Sequence, residues 1–196
     1  EGHWRFILDG LASFHRRHGI DAISVTTRGA AAVFLTQGGG LAAPVLDYEH
    51  TGPEAMAAAY DALRPPFAET GSPRLGMGLN LGAQMHWQLA TNPALRGRTA
   101  AIVTYPQYWG FRLTGELACD LPSLGCHTDL WNPWERRSSA LVDRLGLGDV
   151  LATPRLPSDR LGGLRPDLAA QTGLPAGLPV SVGIHDSNAS LYPHLR

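Results

Sequence analysis

The sequence contains no lysine; all 16 of its Lys-plus-Arg residues are arginine. Neither a lysine Schiff base nor a phosphate-loop lysine can exist within these residues, which removes two large enzyme classes. Cysteine is nearly as scarce: Cys119 and Cys126 are the only two, lying close to His127 and Asp129. The gap between the thiols is wider than the short spacing of structural zinc sites, so Cys119, Cys126, His127 and Asp129 are better read as ordinary residues, with two reduced thiols, than as a metal centre. No apolar run approaches the length that crosses a bilayer, and the stretch from Glu1 to Phe14 is amphipathic, unlike a signal peptide, so a cytoplasmic enzyme is expected. The tripeptide Asn188-Ala189-Ser190 matches a glycosylation acceptor but has no consequence without secretion. The formal net charge is −1 with no run of basic residues. The electrostatic footprint of a nucleic-acid binder or an anionic-membrane binder is therefore missing, while neutral or small anionic substrates remain open. There is no Gly-x-Ser-x-Gly elbow to support a serine hydrolase.

What is present is an ordinary apolar fraction for a globular domain, arranged in alternating patterns. Trp4, Ile7, Leu8, Leu11 and Phe14 recur at helical spacing over His3–His18, and Gly19 follows as a stop. Apolar and β-branched runs at Ala22–Thr26, Ala30–Leu35 and Leu41–Leu46 predict three strands, the last two joined across the triplet Gly38 to Gly40. Helices are predicted over Pro53–Leu63, Asn80–Leu89, Tyr105–Leu113 and Pro133–Leu145, with a short buried strand at Thr99–Val103. The stretch Thr153–Gly177 is dense in Pro and Gly and reads as loop around a short helix at Leu168–Thr172. Pro179–Gly183 reads as a buried strand running into His185-Asp186, with Ser187 as the cap of a final helix over Asn188–Leu195. Strands mixed with helices in this order define an α/β domain, in which ligands sit beyond the carboxyl ends of the strands.

Three clusters could carry chemistry. In Gly183-Ile184-His185-Asp186-Ser187-Asn188-Ala189 an acid stands between a strand and a helix start, where backbone N–H groups hold it ionised while it faces a cleft. A helix cap alone would explain it equally well. Thr26-Thr27-Arg28-Gly29-Ala30 is a strand break in which glycine admits a ligand close to the backbone, although most such breaks are only hairpins. Asp47-Tyr48-Glu49-His50 collects polar groups at a strand end, a pattern found in polyol sites and more often in solvated loops. The five tryptophans read as core or half-buried anchors, with Trp87 able to face a sugar.

These segments, in their order, resemble the FGGY carbohydrate kinases. Ile23 to Leu35 looks like the family's strand pair with a substrate-contacting turn, and Leu41 to Glu49 like the strand that ends at the sugar. Tyr105-Pro106-Gln107-Tyr108 through Phe111-Arg112-Leu113-Thr114-Gly115 is similar to its helix ending in Leu-Thr-Gly. Cys126-His127-Thr128-Asp129-Leu130 matches its Thr-bearing segment before a helix, and Leu161-Gly162 to Gly183 its approach to the last strand. His185-Asp186-Ser187 is closest to the rhamnulokinase-like branch, whose motif is His-Asp-Thr. Asp47-Tyr48-Glu49-His50 departs from the family's Trp-x-Asp-x-Arg, and Arg28 stands where relatives have other residues.

The resemblance implies a ribonuclease-H-like, actin-like ATPase domain that is incomplete. Residues 1–196 would form part of the N-terminal, sugar-binding domain, lacking the opening phosphate-binding hairpin and the C-terminal nucleotide-binding domain. It implies ATP-dependent phosphorylation of a ketose or related polyol, with ATP and Mg²⁺ bound largely elsewhere, no protein-held metal here, and a possible homodimer. By position Asp186 inherits the role of proton acceptor. Gly29, Arg28, Asp47, Glu49, His185 and Ser187 become the expected sugar contacts. Two rival readings are a non-catalytic sugar-binding or regulatory domain derived from such a kinase, and a metal-dependent hydrolase built on His185, Asp186 and His127.

Overall fold

The computed structural model describes residues 2–195. The chain opens with helix α1 (Gly2–His18), whose inward face carries the buried Leu8. The helix stops where Gly19 turns left-handed (φ 75°) and its N–H donates to the His15 carbonyl at 2.9 Å, the glycine termination read from the sequence. Strand β1 (Thr26–Thr27) and the fully buried β2 (Ala32–Leu35) follow. Of the strand expected over 22–26, only the Ile23–Val180 bridge and the start of β1 form. The third expected strand does not form. Beyond a single antiparallel bridge between Leu35 and Leu41, the segment to Leu46 is irregular; Pro44 lies within it and cannot donate to a ladder.

A 3₁₀ turn (Gly52–Met56) leads into α2 (Ala57–Leu63), then α3 (Phe67–Thr70), α4 (Leu81–Thr91) and α5 (Ala94–Arg98). Strand β3 (Ala101–Thr104) pairs antiparallel with β2, from Ala32 opposite Thr104 to Leu35 opposite Ala101. Both strands are buried throughout, as their unbroken apolar runs require. Helix α6 (Tyr105–Thr114) takes Pro106 in its first turn, where a missing N–H costs nothing, and ends at the left-handed Gly115.

Next come β4 (Cys119–Asp120), α7 (Leu121–Gly125) and the two-stranded hairpin of β5 (Trp131–Asn132) and β6 (Arg137–Ser138), then α8 (Ala140–Arg144). Here the helix expected over 133–145 is corrected to the five residues Ala140–Arg144. Asn132 Oδ1 accepts from the backbone N–H of Trp134 and Glu135, each at 3.0 Å, and Arg136 sits at φ 53°, so the first half folds as a turn. Ser139 then caps α8, its hydroxyl accepting from the Leu141 N–H.

Strand β7 (Pro154–Arg155) lies parallel to β4; β8 (Arg160–Gly163) pairs antiparallel with β9 (Pro179–Ser181) around α9 (Pro166–Thr172). The last elements are β10 (Ile184–His185), parallel to β1, and the short α10 (Asp186–Ala189). The final helix therefore begins at Asp186, not after a Ser187 cap, and it is one turn long before a 3₁₀ turn at Tyr192–His194.

The main core packs Phe34 and Ile102 against Leu81, Met85, Leu95, Leu124 and Leu141. Each such side chain contributes roughly 1.5–3 kcal/mol by leaving water. A second core joins α1 to α9 and β9 through Leu8, Leu113, Leu168 and Val180. None of the described helices is long and apolar enough to cross a membrane.

Candidate functional site

The register of β1 and β10 sets the site. Thr26 lies opposite Ile184 and Thr27 opposite His185, so two parallel strands end side by side and release Arg28-Gly29 and Asp186-Ser187 at the same edge. Gly183 makes this pairing possible: its φ is 84°, and a β-carbon there would run into the Val25 backbone. Two segments that are far apart in sequence thus form one wall of a cleft of about 290 Å³, at the lower end of the ~300–1,000 Å³ usual for small-molecule pockets.

Arg28, Gly29, His185, Asp186 and Ser187 all line this cleft. Asp47 and Glu49 do not. Asp47 acts on it indirectly, through an ion pair with Arg28, while Glu49 is exposed and donates its backbone N–H to Asp47 Oδ1 at 3.0 Å. The Arg28 guanidinium also lies 5.8 Å from the ring centroid of Tyr48 and 5.3 Å from that of Tyr105, which hold it at the rim. Trp87 does not line the cleft and packs edge-on to His50.

The Asp186 side chain is 58% exposed. Its Oδ1 accepts from the Ser187 N–H at 2.7 Å, leaving Oδ2 open to a ligand. His185 is different: it is 2% exposed, and among the described residues neither ring nitrogen has a hydrogen-bond partner. Burial alone would lower its pKa. The neighbouring Cys126 thiol and the carboxylates of Asp120 and Asp186 outweigh that effect and hold the imidazole above its ordinary value.

Asp120, fully buried at the start of α7, caps that helix by accepting from the Ser123 N–H at 2.9 Å. Desolvation pushes its carboxyl above the usual range, partly offset by Ser123, His185 and Thr104. Thr104 Oγ1 also contacts the Gln107 amide, and Gln107 Nε2 donates to the Val182 carbonyl at 2.8 Å, so α6 grips the backbone just before β10. These groups lie behind the cleft and hold the His185–Asp186 corner in place.

Tyr48, Leu79, Ser123, Cys126 and His127 line the rest of the cleft together with Ala30; of these, Leu79 and Ser123 were not singled out by the sequence. Ala30 (φ 48°) and His127 (φ 41°) hold left-handed backbone without glycine, a strain of about 1–3 kcal/mol each that is typical of ligand sites. The Asp120 cap is a local feature of the chain, whereas the meeting of α7 with β10 is set by tertiary packing.

The four residues weighed as a zinc set are dispersed among other partners. Cys119 is fully buried, with its thiol pushed up to about 12 by that burial. Asp129 is bound by Tyr60 and Arg64. Among the described residues no group of three His, Cys, Asp or Glu could hold a metal. His127, His185 and Asp186 line one cleft without forming such a group.

No family model matches the sequence. Over 178 residues, 88% of this chain, it is 27% identical to L-fuculokinase of Escherichia coli. A carbohydrate kinase from Novosphingobium aromaticivorans is 40% identical, superposes with a TM-score of 0.88 and covers 95% of the chain. A ligand-bound xylulose kinase from Lactobacillus acidophilus, 16% identical over 96% of the chain, shares the fold with a TM-score of 0.82. The architecture is that of part of an actin-like ATPase domain, the fold of sugar kinases. Over nearly its whole length the chain is similar to part of a sugar kinase of the FGGY type. It spans 37% of the length of the fuculokinase and 40% of the length of the Novosphingobium kinase.

Proposed function

We propose that this chain supplies the acceptor-sugar site and the general base of an ATP-dependent carbohydrate kinase. The observation that carries the reading is Asp186, exposed at the end of β10 in the same cleft as Gly29. The kinds of sugar named for its relatives favour a ketose or related polyol as acceptor. The two free thiols fit a reducing, cytoplasmic setting.

In this reading the sugar lies between the Arg28–Gly29 turn and the His185–Ser187 corner. Its reacting hydroxyl faces Asp186 Oδ2, which takes the proton as that oxygen becomes the phosphate ester. The Ser187 N–H on Oδ1 keeps the carboxylate oriented. Gly29 lets the sugar approach the backbone, and the paired Arg28 closes one end. Mg-ATP supplies the phosphoryl group when bound. No nucleotide contact is assigned to the described residues.

The test is ADP release by the full-length protein with a panel of ketoses and polyols. Asp186→Asn should lower turnover by about two to four orders of magnitude while leaving sugar binding nearly intact. Near-normal turnover in the variant removes Asp186 as the base. Sugar binding with no ADP release by the wild-type protein favours a non-catalytic sugar-binding domain.

A further inference from the structure

Ser123 presents a buried hydroxyl in the wall of the cleft. The residue is 6% exposed, it lines the cleft, and its Oγ has no hydrogen-bond partner among the described residues. The helix-capping bond at this position is made by its backbone N–H to Asp120, whose carboxylate also lies near enough to feel the Ser123 hydroxyl. Helix α7 packs against β10, which brings Ser123 to the strand that carries His185. His185 is itself more than nine-tenths buried, with both ring nitrogens unpartnered on the same cleft.

Buried polar groups in folded proteins are nearly always paired, and leaving one unpaired is costly. Three unpaired atoms in the wall of one cleft, on two elements that pack together, match a ligand rich in hydroxyls. Each sugar hydroxyl can donate to an imidazole nitrogen or accept from a serine, and a serine hydroxyl turns to suit either role.

We propose that Ser123 is a sugar-contacting, specificity-determining residue, its hydroxyl bonding an acceptor hydroxyl other than the one that faces Asp186. The inference rests on the acceptor-site reading above. It adds a second anchoring point: the acceptor must carry a further hydroxyl that reaches α7, so a sugar lacking that group is bound less well. A site built to hydrogen-bond a hydroxyl discriminates strongly against an analogue without it, because its own polar groups then stay unpaired.

Calorimetric titration of D-xylulose, L-fuculose, D-fructose and glycerol into the wild-type, Ser123→Ala and Asp186→Asn proteins tests this. Ser123→Ala should weaken the best-bound sugar about tenfold, the worth of one neutral hydrogen bond, whereas Asp186→Asn changes its affinity little. The melting temperature of unliganded Ser123→Ala should stay close to that of wild type, since the backbone N–H that caps on Asp120 is kept. If Ser123→Ala binds every sugar as wild type does, the inference is overturned and the acceptor-site reading stands. If the variant melts well below wild type, Ser123 is structural and the inference also falls. If no sugar binds the wild-type protein, both fall together.

Discussion

The imidazole of His185 lies directly against the α-carbon of Gly29: a β-carbon there would stand 3.1 Å from Nδ1 and 3.4 Å from Cγ. Glycine at position 29 is thus explained by a neighbour from the other end of the chain, since its own φ is not left-handed. Gly29→Ala should push the ring a few tenths of an ångström toward the cleft. The expected stability loss is small, about 1 kcal/mol. The expected effect on the site is larger, a rise in the acceptor KM of about tenfold, because small displacements of positioning groups are amplified in binding. Thermal melts and acceptor titrations of the full-length variant check this; an unchanged KM would mean that His185 need not keep its place.

His185 also predicts a pH dependence of stability. Burial disfavours its charged form, but Cys126, Asp120 and Asp186 more than compensate, so the folded-state pKa lies above the ordinary value of about 6.5. A group whose pKa rises on folding contributes stability that is complete below the unfolded value and is lost as pH climbs through the folded one. Wild-type stability should therefore fall as pH rises from about 6.5. His185→Gln should flatten that part of the profile. Urea melts of both proteins across this range decide the matter, and parallel profiles would show that His185 does not gain a proton on folding.

The elements that sequence reading placed well are those set by local chemistry. Helix α1 follows its apolar spacing to Gly19, α6 runs from Tyr105 to Thr114, and β2 and β3 are buried, mostly apolar runs. The failures have local causes too. Pro44 interrupts the expected third strand, and the Asn132 side chain diverts 133–136 into the turn of the β5–β6 hairpin where a helix was expected. The site was half legible. Residues 28–29 and 185–187 stand at strand ends and carry unusual residue types, so each was visible separately. Their meeting depends on the parallel pairing of β1 with β10, separated by most of the chain. The other wall, with Ser123 and Cys126, comes from short elements whose placement is decided by packing and not by any periodic pattern.

Asp129 shows what became of a residue that looked like a metal ligand. It is fully buried, at φ 63°, and its carboxylate accepts from Tyr60 Oη at 2.5 Å and from Arg64 at 2.8 and 3.1 Å. Arg64 continues to the Ser72 carbonyl at 2.8 Å, so one carboxylate ties α2 to the segments on either side of it. Removing one member of a buried pair leaves an uncompensated charge, and Asp129→Ala should cost about 3–5 kcal/mol. Two further losses act in the same direction: the buried Tyr60 hydroxyl loses its acceptor, and alanine tolerates left-handed backbone less well than aspartate. Asp129→Asn keeps one acceptor oxygen and a residue type that accepts positive φ, so its loss should be clearly smaller. Urea unfolding of both variants separates the contributions. Equal losses would assign the whole effect to the missing charge, and a loss below about 1 kcal/mol for alanine would show that the Tyr60–Asp129–Arg64 cluster does not hold this region together.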